Sequence, residues 1–259
     1  MIPGNGVGGV VTAVGAAADE GLVGKRVVSS TGGSGGYAER VAVDAGGVFE
    51  VPDGLDLDAA VALLADGRTA MMLIRAAGLR GGERVLVEAA AGGVGTLLVQ
   101  LARAAGAKVV AAAGGPRKVE LARDLGADVA VDYRQPDWTE RVGEAVGGVD
   151  VVFDEVGGDI GRSAFELLDR GGRMLSYGLA SGEWAGISDE AAAARGVTLV
   201  RPAASPEEIR AFTESALAEA AAGRLRPVIG QWFPLDRAAD AHAAIQSRAT
   251  VGRTLLEVR

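Results

Sequence analysis

Glycines suited to holding a phosphate lie in the stretch AAGGVG, residues 90–95, between the apolar run RVLVEAA at 84–90 and a helical pattern. Glycine lets the backbone approach a pyrophosphate, and the free N–H groups and dipole of a helix N-terminus favour its charge. Ala90 replaces the first glycine of the usual fingerprint, but the strand, turn and helix that a dinucleotide site requires are all predicted. The alternative is a tight strand–helix turn without a ligand. The predicted pyrophosphate-binding residues are Gly92, Gly93, Val94 and Gly95.

A positive corner follows the second apolar run, in the stretch VVAAAGGPRK at 109–118. A protein that binds NADH commonly places an acidic residue here, about 20 residues past the glycines, on the ribose 2′-hydroxyl. This chain has Ala113 and Gly114 instead, followed by Arg117 and Lys118. Opposite charges about 4 Å apart gain on the order of 4 kcal/mol at an effective dielectric near 20. The alternative, solvated first-turn cations, is weakened because cations are disfavoured at a helix N-terminus. The corner therefore predicts NADPH as the cofactor.

Metal and triad chemistry are disfavoured by composition. The chain has no cysteine and one histidine, so a zinc site is close to excluded and no metal ligand is predicted. The histidine, His242, lies in the helical pattern AADAHAAIQ and is interpreted as structural. What remains is hydride transfer in which the cofactor carries the chemistry. No catalytic side chain is identified, and Tyr37 and Tyr177 are only weak candidates for a proton donor.

Two acidic neighbours, Asp154 and Glu155, follow the apolar run VDVVF near the expected crevice of the fold. Adjacent strand residues point to opposite faces, so the two carboxylates cannot act together on one substrate. They are interpreted as structural or backbone-positioning groups.

Charge and hydropathy exclude further classes of protein. The formal net charge of -8 argues against nucleic-acid partners and against an anionic membrane surface. No signal peptide is read at the N-terminus, and no apolar segment reaches the roughly 20 residues of a membrane span. A cytoplasmic location is the default expectation.

The elements that position these residues follow an alternating pattern from residue 84 onward. Short β-branched runs separated by helical patterns indicate a parallel sheet buried on both faces, which is a doubly wound α/β domain. The runs span 84–90, 108–113, 128–133, 149–156, 172–178 and 197–200.

The flanks of the chain have a different pattern. Three segments within residues 1–52, VGGVVTAVG, KRVVSS and YAERVAV, suit antiparallel hairpins. The C-terminal part predicts two helices and a terminal strand. We therefore expect a β-rich lobe built from 1–66 and 226–259, with a nucleotide-binding domain inserted at 67–225.

The chain as a whole resembles the zinc-independent quinone oxidoreductases of the medium-chain dehydrogenase/reductase superfamily. The matching pieces run in order along the chain: PGNGVGGVVTAVG, VGKRVV, GGYAERVAV, AAAGGVG, LGADVAVDYR, VDVVFDEVGG, GGRMLSYG and AHAAIQSRATVGRTLLEV. The resemblance implies a Rossmann domain of strand order 3-2-1-4-5-6 inserted in a GroES-like β lobe. It also implies a homodimer that pairs the sheet edges near Val197–Val200.

The resemblance implies roles for individual residues as well. Lys118, Tyr133 and Arg248 match residues that meet the 2′-phosphate, beside Gly114. Thr69 and Gly178 match positions near the nicotinamide. Without the resemblance, Tyr133 is a strand-end packing residue and Arg248 a surface charge.

The start of the chain departs from the family in two ways. Gly6 stands where the family has an acidic residue. In the family a further segment, which carries an Asn and a Tyr of the nicotinamide pocket, precedes this motif. We therefore expect the β lobe to be incomplete, because the chain is a fragment, a late-start reading or a natural truncation.

The predicted function is transfer of a hydride from NADPH to a quinone or enone, which are small, electron-poor acceptors. The alternatives are an enoyl reductase acting on α,β-unsaturated thioesters or ketones, and a non-catalytic NADPH-binding relative.

Overall fold

The computed structural model of the chain describes residues 1–258. Its strands are β1 (Gly6–Val10), β2 (Arg26–Ser30), β3 (Val48–Glu50), β4 (Arg84–Val87), β5 (Lys108–Ala113), β6 (Val129–Asp132), β7 (Val149–Asp154), β8 (Leu168–Ser176), β9 (Thr198–Leu199), β10 (Ile229–Pro234) and β11 (Arg253–Glu257). Its α-helices are α1 (Leu57–Ala77), α2 (Gly93–Ala104), α3 (Pro116–Asp124), α4 (Trp138–Val146), α5 (Gly158–Glu166), α6 (Asp189–Arg195), α7 (Pro206–Ala221) and α8 (Ala238–Gln246).

Six parallel strands form the sheet of one compact unit, Met72–Ser205. Their order is β6-β5-β4-β7-β8-β9, and each neighbouring pair is parallel. Counted within the unit, this is the order 3-2-1-4-5-6. Each of the six apolar runs in the sequence overlaps one of these strands, so the predicted doubly wound α/β fold is confirmed.

The centre of this sheet is covered on both faces. Val85, Leu86 and Val87 are consecutive in β4 and all are fully buried, and the same holds for 109–112 in β5. Since successive strand residues point to opposite faces, runs without a polar break require helices on both sides. The six-stranded sheet therefore presents its carboxyl edge, rather than a face, to a ligand.

The other compact unit comprises Met1–Met71 and the chain from Pro206 onward. Its three-stranded sheet has the order β1-β2-β3 with antiparallel pairing, as the segments VGGVVTAVG and KRVVSS predict, although β1 ends at Val10. Two further strands, β10 and β11, pair in parallel across α8. Among residues 1–258, no helix combines the length and the apolar character that crossing a bilayer requires.

The predicted strand in YAERVAV, residues 37–43, is wrong, because this segment forms no strand. Its alternating pattern suits a half-buried strand, but a strand also needs a neighbour with which to exchange backbone hydrogen bonds. Here the Tyr37 N–H donates to the Pro3 carbonyl (3.0 Å) and the Ala38 N–H to the Gly36 carbonyl (3.0 Å). The segment therefore takes an irregular path.

Candidate functional site

The turn between β4 and α2 is built so that the backbone closes tightly on itself. Ala89 has a positive φ of 45°, and its carbonyl accepts from the Gly92 N–H at 2.7 Å. A Cβ on Gly95 would collide with that same carbonyl. Glycine is thus required at 95 by packing, and the first N–H groups of α2 have no acceptor within the helix. The predicted pyrophosphate residues therefore do form one turn.

The corner at the end of β5 lies beside this turn. β4 and β5 are neighbours, and the Ala90 N–H donates to the Ala112 carbonyl at 3.1 Å. A Cβ on Gly114 would stand 3.2 Å from the Tyr133 Oη. Gly114 and Tyr133, both predicted as site residues, are therefore in contact at the carboxyl ends of β5 and β6.

Lys118 lies in the first turn of α3, where its backbone N–H donates to the Gly115 carbonyl at 3.1 Å. It is half-buried, whereas the neighbouring Arg117 is exposed. Of the two cations in the first turn of α3, Lys118 is therefore the less exposed.

Arg134 is a cation of this corner that sequence reasoning missed. A Cβ on Gly115 would stand 2.8 Å from the Arg134 Cζ, so the guanidinium lies over Gly115. Asp132 fixes it, because its carboxylate accepts from Arg134 Nε (3.0 Å), Arg134 Nη2 (2.9 Å) and the Gly115 N–H (2.9 Å). The Arg134 guanidinium holds the pKa of Asp132 well below its usual value. The available signal was the stretch DYR directly after an apolar strand.

The remaining predicted residues lie elsewhere. Gly178 follows β8, and a Cβ there would stand 2.8 Å from the Glu155 carbonyl. Thr69 lies half-buried in α1. Arg248 is exposed just after α8 and has a positive φ of 56°. Thr69 and Arg248 belong to the compact unit that contains the chain ends, whereas the other predicted residues belong to Met72–Ser205.

A buried pair of carboxyl groups underlies the glycine loops, and sequence reasoning, which singled out Asp154, missed its pairing with Glu88. Glu88 and Asp154 are both fully buried at the carboxyl ends of β4 and β7. Asp154 accepts from the Gly157 N–H (2.7 Å) and the Ser176 hydroxyl (2.7 Å), which confirms its interpretation as a backbone-positioning group. Burial, followed by the adjacent Asp154 carboxylate, raises the pKa of Glu88 well above its usual value.

An open pocket of about 590 Å³ adjoins the loop after β7 and is lined by residues 157–160 and 181–183. The backbone at Gly157 and Gly158 has φ of 69° and 53°, a conformation that side chains disfavour. The Asp154 carboxylate thus holds the start of a loop that borders a cavity at the sheet's carboxyl edge.

His242 has a structural contact, as the sequence predicts. Its Nε2 lies 3.0 Å from the Tyr37 Oη, and the two rings meet edge to face. Tyr37 also packs against Gly4, where a Cβ would collide with the ring.

Comparison with known proteins gives a family context. A protein-family model described as "Zinc-binding dehydrogenase" matches residues 93–217. The donors in residues 1–258 do not fit zinc, since no group of three or more His, Cys, Asp or Glu side chains there could hold a metal ion.

Individual relatives are similar over nearly the whole chain. A quinone oxidoreductase of Pseudomonas aeruginosa is 35% identical over 257 residues, which are 96% of this chain and 79% of that protein. The crystal structure of Escherichia coli quinone oxidoreductase complexed with NADPH has a TM-score of 0.89 with 31% identity. It covers 98% of this chain and 81% of that one. A mycobacterial protein complexed with NADPH has a TM-score of 0.88 and 33% identity, over 98% and 82% of the two chains.

Proposed function

Because the chain belongs to the zinc-independent quinone oxidoreductase family of the medium-chain dehydrogenase/reductase superfamily, we propose that it transfers a hydride from NADPH to a quinone. The observation that carries this proposal is the glycine turn next to a corner that contains the cations Lys118 and Arg134 and whose acidic side chain, Asp132, is paired with Arg134. Relatives named quinone oxidoreductase, one of them solved with NADPH, support it. The enoyl reductase and the non-catalytic alternatives are not favoured.

The cofactor supplies the hydride when bound, and the residues of this chain bind and orient it. The first N–H groups of α2 and the α2 dipole favour the pyrophosphate. At the end of β5, Lys118 and Arg134 favour a 2′-phosphate where an acidic residue would repel it. A quinone is electron-poor and needs little acid assistance, so the residual proton can come from solvent.

The cofactor site that we propose combines the residues predicted from the sequence with the cation found in the structure. Its members are Thr69, Gly92, Gly93, Val94, Gly95, Gly114, Lys118, Tyr133, Arg134, Gly178 and Arg248.

Substitution of Lys118 tests the phosphate assignment. In Lys118→Ala, NADPH binding should weaken tenfold or more, on the order of 1–2 kcal/mol, because a charge-assisted contact to the 2′-phosphate is lost. NADH binding should barely change. The dissociation constants are measured by fluorescence titration, together with the rate of NADPH oxidation by a simple quinone.

Lys108→Ala is the matched control, since Lys108 is exposed at the opposite end of β5. If Lys118→Ala lost the same affinity for NADPH and for NADH, the assignment of Lys118 to the 2′-phosphate would be wrong. NADPH binding without turnover of any quinone would indicate the non-catalytic alternative, and turnover of α,β-unsaturated thioesters alone would indicate the enoyl reductase.

We further propose that two copies of the chain associate through the edge strand β9, near Val197–Val200, and that the protein is cytoplasmic. β9 ends the strand order of the six-stranded sheet, and an edge strand offers backbone groups for pairing with another copy.

The domain limits predicted from the sequence, 1–66 with 226–259 and 67–225, remain a prediction that limited proteolysis would test.

A further inference from the structure

The buried carboxyl groups of Glu88 and Asp154 have no part in the binding of cofactor phosphates described above. Both residues are fully buried, with a solvent-exposed fraction of 0%. An isolated ionised carboxylate is very costly to bury, and two ionised carboxylates in contact are costlier still. Something must therefore offset the cost of burying these two carboxyl groups next to each other.

The hydrogen bonds around the pair show where a proton is needed. Asp154 accepts from the Gly157 N–H and the Ser176 hydroxyl, as an ionised carboxylate does. Glu88 Oε2 accepts from the Val156 N–H at 3.2 Å. The other oxygen, Glu88 Oε1, receives no N–H or O–H from the described part of the chain. Val87 pairs with Phe153 in the β4–β7 register, so the residues that follow them, Glu88 and Asp154, lie side by side at the ends of these strands. Two buried carboxyl groups that meet there need a proton on one of them.

The charges facing Glu88 favour the protonated form. The β7 end of the sheet presents Asp154 and Glu155, both acidic, and both raise the pKa of Glu88. β5, on the other side of β4, presents the apolar residues 109–113, and α2 contributes the buried but neutral Thr96. Only the Val156 N–H acts in the opposite direction.

The pair joins the two glycine loops of the candidate site. Glu88 immediately precedes Ala89, whose strained backbone closes the pyrophosphate turn. Asp154 and Val156 lead into the loop at Gly157 that borders the pocket. A proton between Glu88 and Asp154 therefore ties the ends of β4 and β7 together, and its loss would place two negative charges against each other beneath both loops.

We propose that Glu88 and Asp154 share one proton as a carboxylic acid–carboxylate pair, and that this pair positions the two glycine loops for NADPH binding. The inference rests on the proposed function for its link to NADPH, and Glu88 acts as a positioning residue. The shared proton itself is independent of any cofactor.

The test compares the wild type with Glu88→Gln, Glu88→Ala and the control Glu166→Gln, whose carboxylate is exposed and pairs with Arg195. Glutamine can donate to Asp154 and accept from the Val156 N–H at every pH. NADPH dissociation constants are measured by fluorescence titration from neutral to alkaline pH. The wild type and Glu166→Gln should lose NADPH affinity tenfold or more as Glu88 ionises. Glu88→Gln should show no such loss at alkaline pH, and Glu88→Ala should bind NADPH weakly at every pH.

A second measurement needs no cofactor. Because the raised pKa keeps Glu88 protonated in the folded chain above about pH 4.5, the free energy of unfolding of the wild type should fall, relative to Glu88→Gln, as pH rises from there to the folded-state pKa. Protection of the Gly92, Val156 and Gly157 amides against hydrogen exchange, corrected for the intrinsic pH dependence of exchange, should fall as pH passes the folded-state pKa of Glu88 in the wild type and not in Glu88→Gln.

The outcomes separate the two proposals. Identical pH profiles of wild type and Glu88→Gln in both measurements would overturn the shared proton. A difference in stability with no difference in NADPH affinity would overturn the link to the cofactor. A wild type that shows the stability difference and binds no NADPH at any pH would refute the proposed function and leave the shared proton supported.

Discussion

At the scale of single residues, the positive corner holds two cations in different ways. Lys118 is placed by the backbone of α3, whereas Arg134 is clamped by two hydrogen bonds to the Asp132 carboxylate. A clamped guanidinium loses less conformational freedom when it meets a phosphate, because its rotamer is already fixed. Selectivity for a 2′-phosphate should therefore depend on Arg134 as well as on Lys118.

In Arg134→Gln, the ratio of NADPH to NADH affinity should fall by about three- to tenfold. One reason is the lost cation, and the other is that the Asp132 carboxylate is left unneutralised beside the phosphate. The double variant Asp132→Asn/Arg134→Gln should therefore recover part of the loss. The dissociation constants of NADPH and NADH are measured for each variant by fluorescence titration.

Arg141→Gln serves as the control for this experiment, because Arg141 is about as exposed as Arg134 and pairs with Asp137 at the start of α4, away from the corner. An unchanged affinity ratio in Arg134→Gln would exclude Arg134 from the phosphate site.

The residues that sequence reasoning found and those that it missed differ in the kind of contact that they make. The glycine turn and Lys118 were predicted because each follows a strand within a short stretch of sequence. Arg134 acts through its position over Gly115, and Glu88 through Asp154, 66 residues further along the chain. Such contacts depend on which strands are neighbours, and a single sequence does not specify side-chain contacts across strands.

At the scale of elements, the β4–α2 turn depends on the close approach of its two ends. Gly95 has ordinary helical geometry, so alanine is compatible with its φ and ψ, but the added Cβ would collide with the Ala89 carbonyl. Gly95→Ala should lower the free energy of unfolding by about 1–3 kcal/mol through this overpacking. It should also weaken binding of NADPH and NADH alike, since the pyrophosphate is common to both.

Gly143→Ala is the matched control for this change. Gly143 lies within α4, and a Cβ there meets nothing within 4 Å. Alanine should stabilise the helix by about 0.4–1 kcal/mol and leave binding unchanged. Urea denaturation and titration of both cofactors give the comparison, and a Gly95→Ala variant as stable as the wild type would refute the tight turn.

The elements themselves were predictable to different degrees. The strands of the six-stranded sheet are continuous apolar runs buried on both faces, so both their type and their alternation with helices are visible in the sequence. Residues 37–43 alternate as a strand does, yet the existence of a strand there depends on a partner, which the pattern of one segment cannot supply. Periodicity therefore predicts strands correctly where a continuous apolar run is buried on both faces. It fails at residues 37–43, where a strand would need a neighbouring strand to pair with.

At the scale of the whole molecule, the six-stranded sheet ends at β9, a strand of two residues, Thr198–Leu199. The sheet order could be predicted through the resemblance to a family, because the alternation of strands and helices in one chain leaves several orders open. Association of two copies is a further step, since a short edge strand can equally remain solvated. The β9 edge is therefore the surface at which the proposed association of two copies is tested.

Thr198→Glu places an exposed carboxylate on the β9 edge of each copy, and like charges that face each other across paired strands are destabilising. The wild type should sediment with twice the monomer mass. Thr198→Glu should dissociate at a concentration tenfold or more higher, while the control Thr12→Glu, which adds the same charge at another exposed threonine, should not. Because every copy carries a net charge of -8, added salt should partly reverse the effect by screening.

A wild type that is monomeric at all concentrations would contradict the dimer, and a Thr198→Glu variant that remains dimeric would show that the interface does not lie at β9.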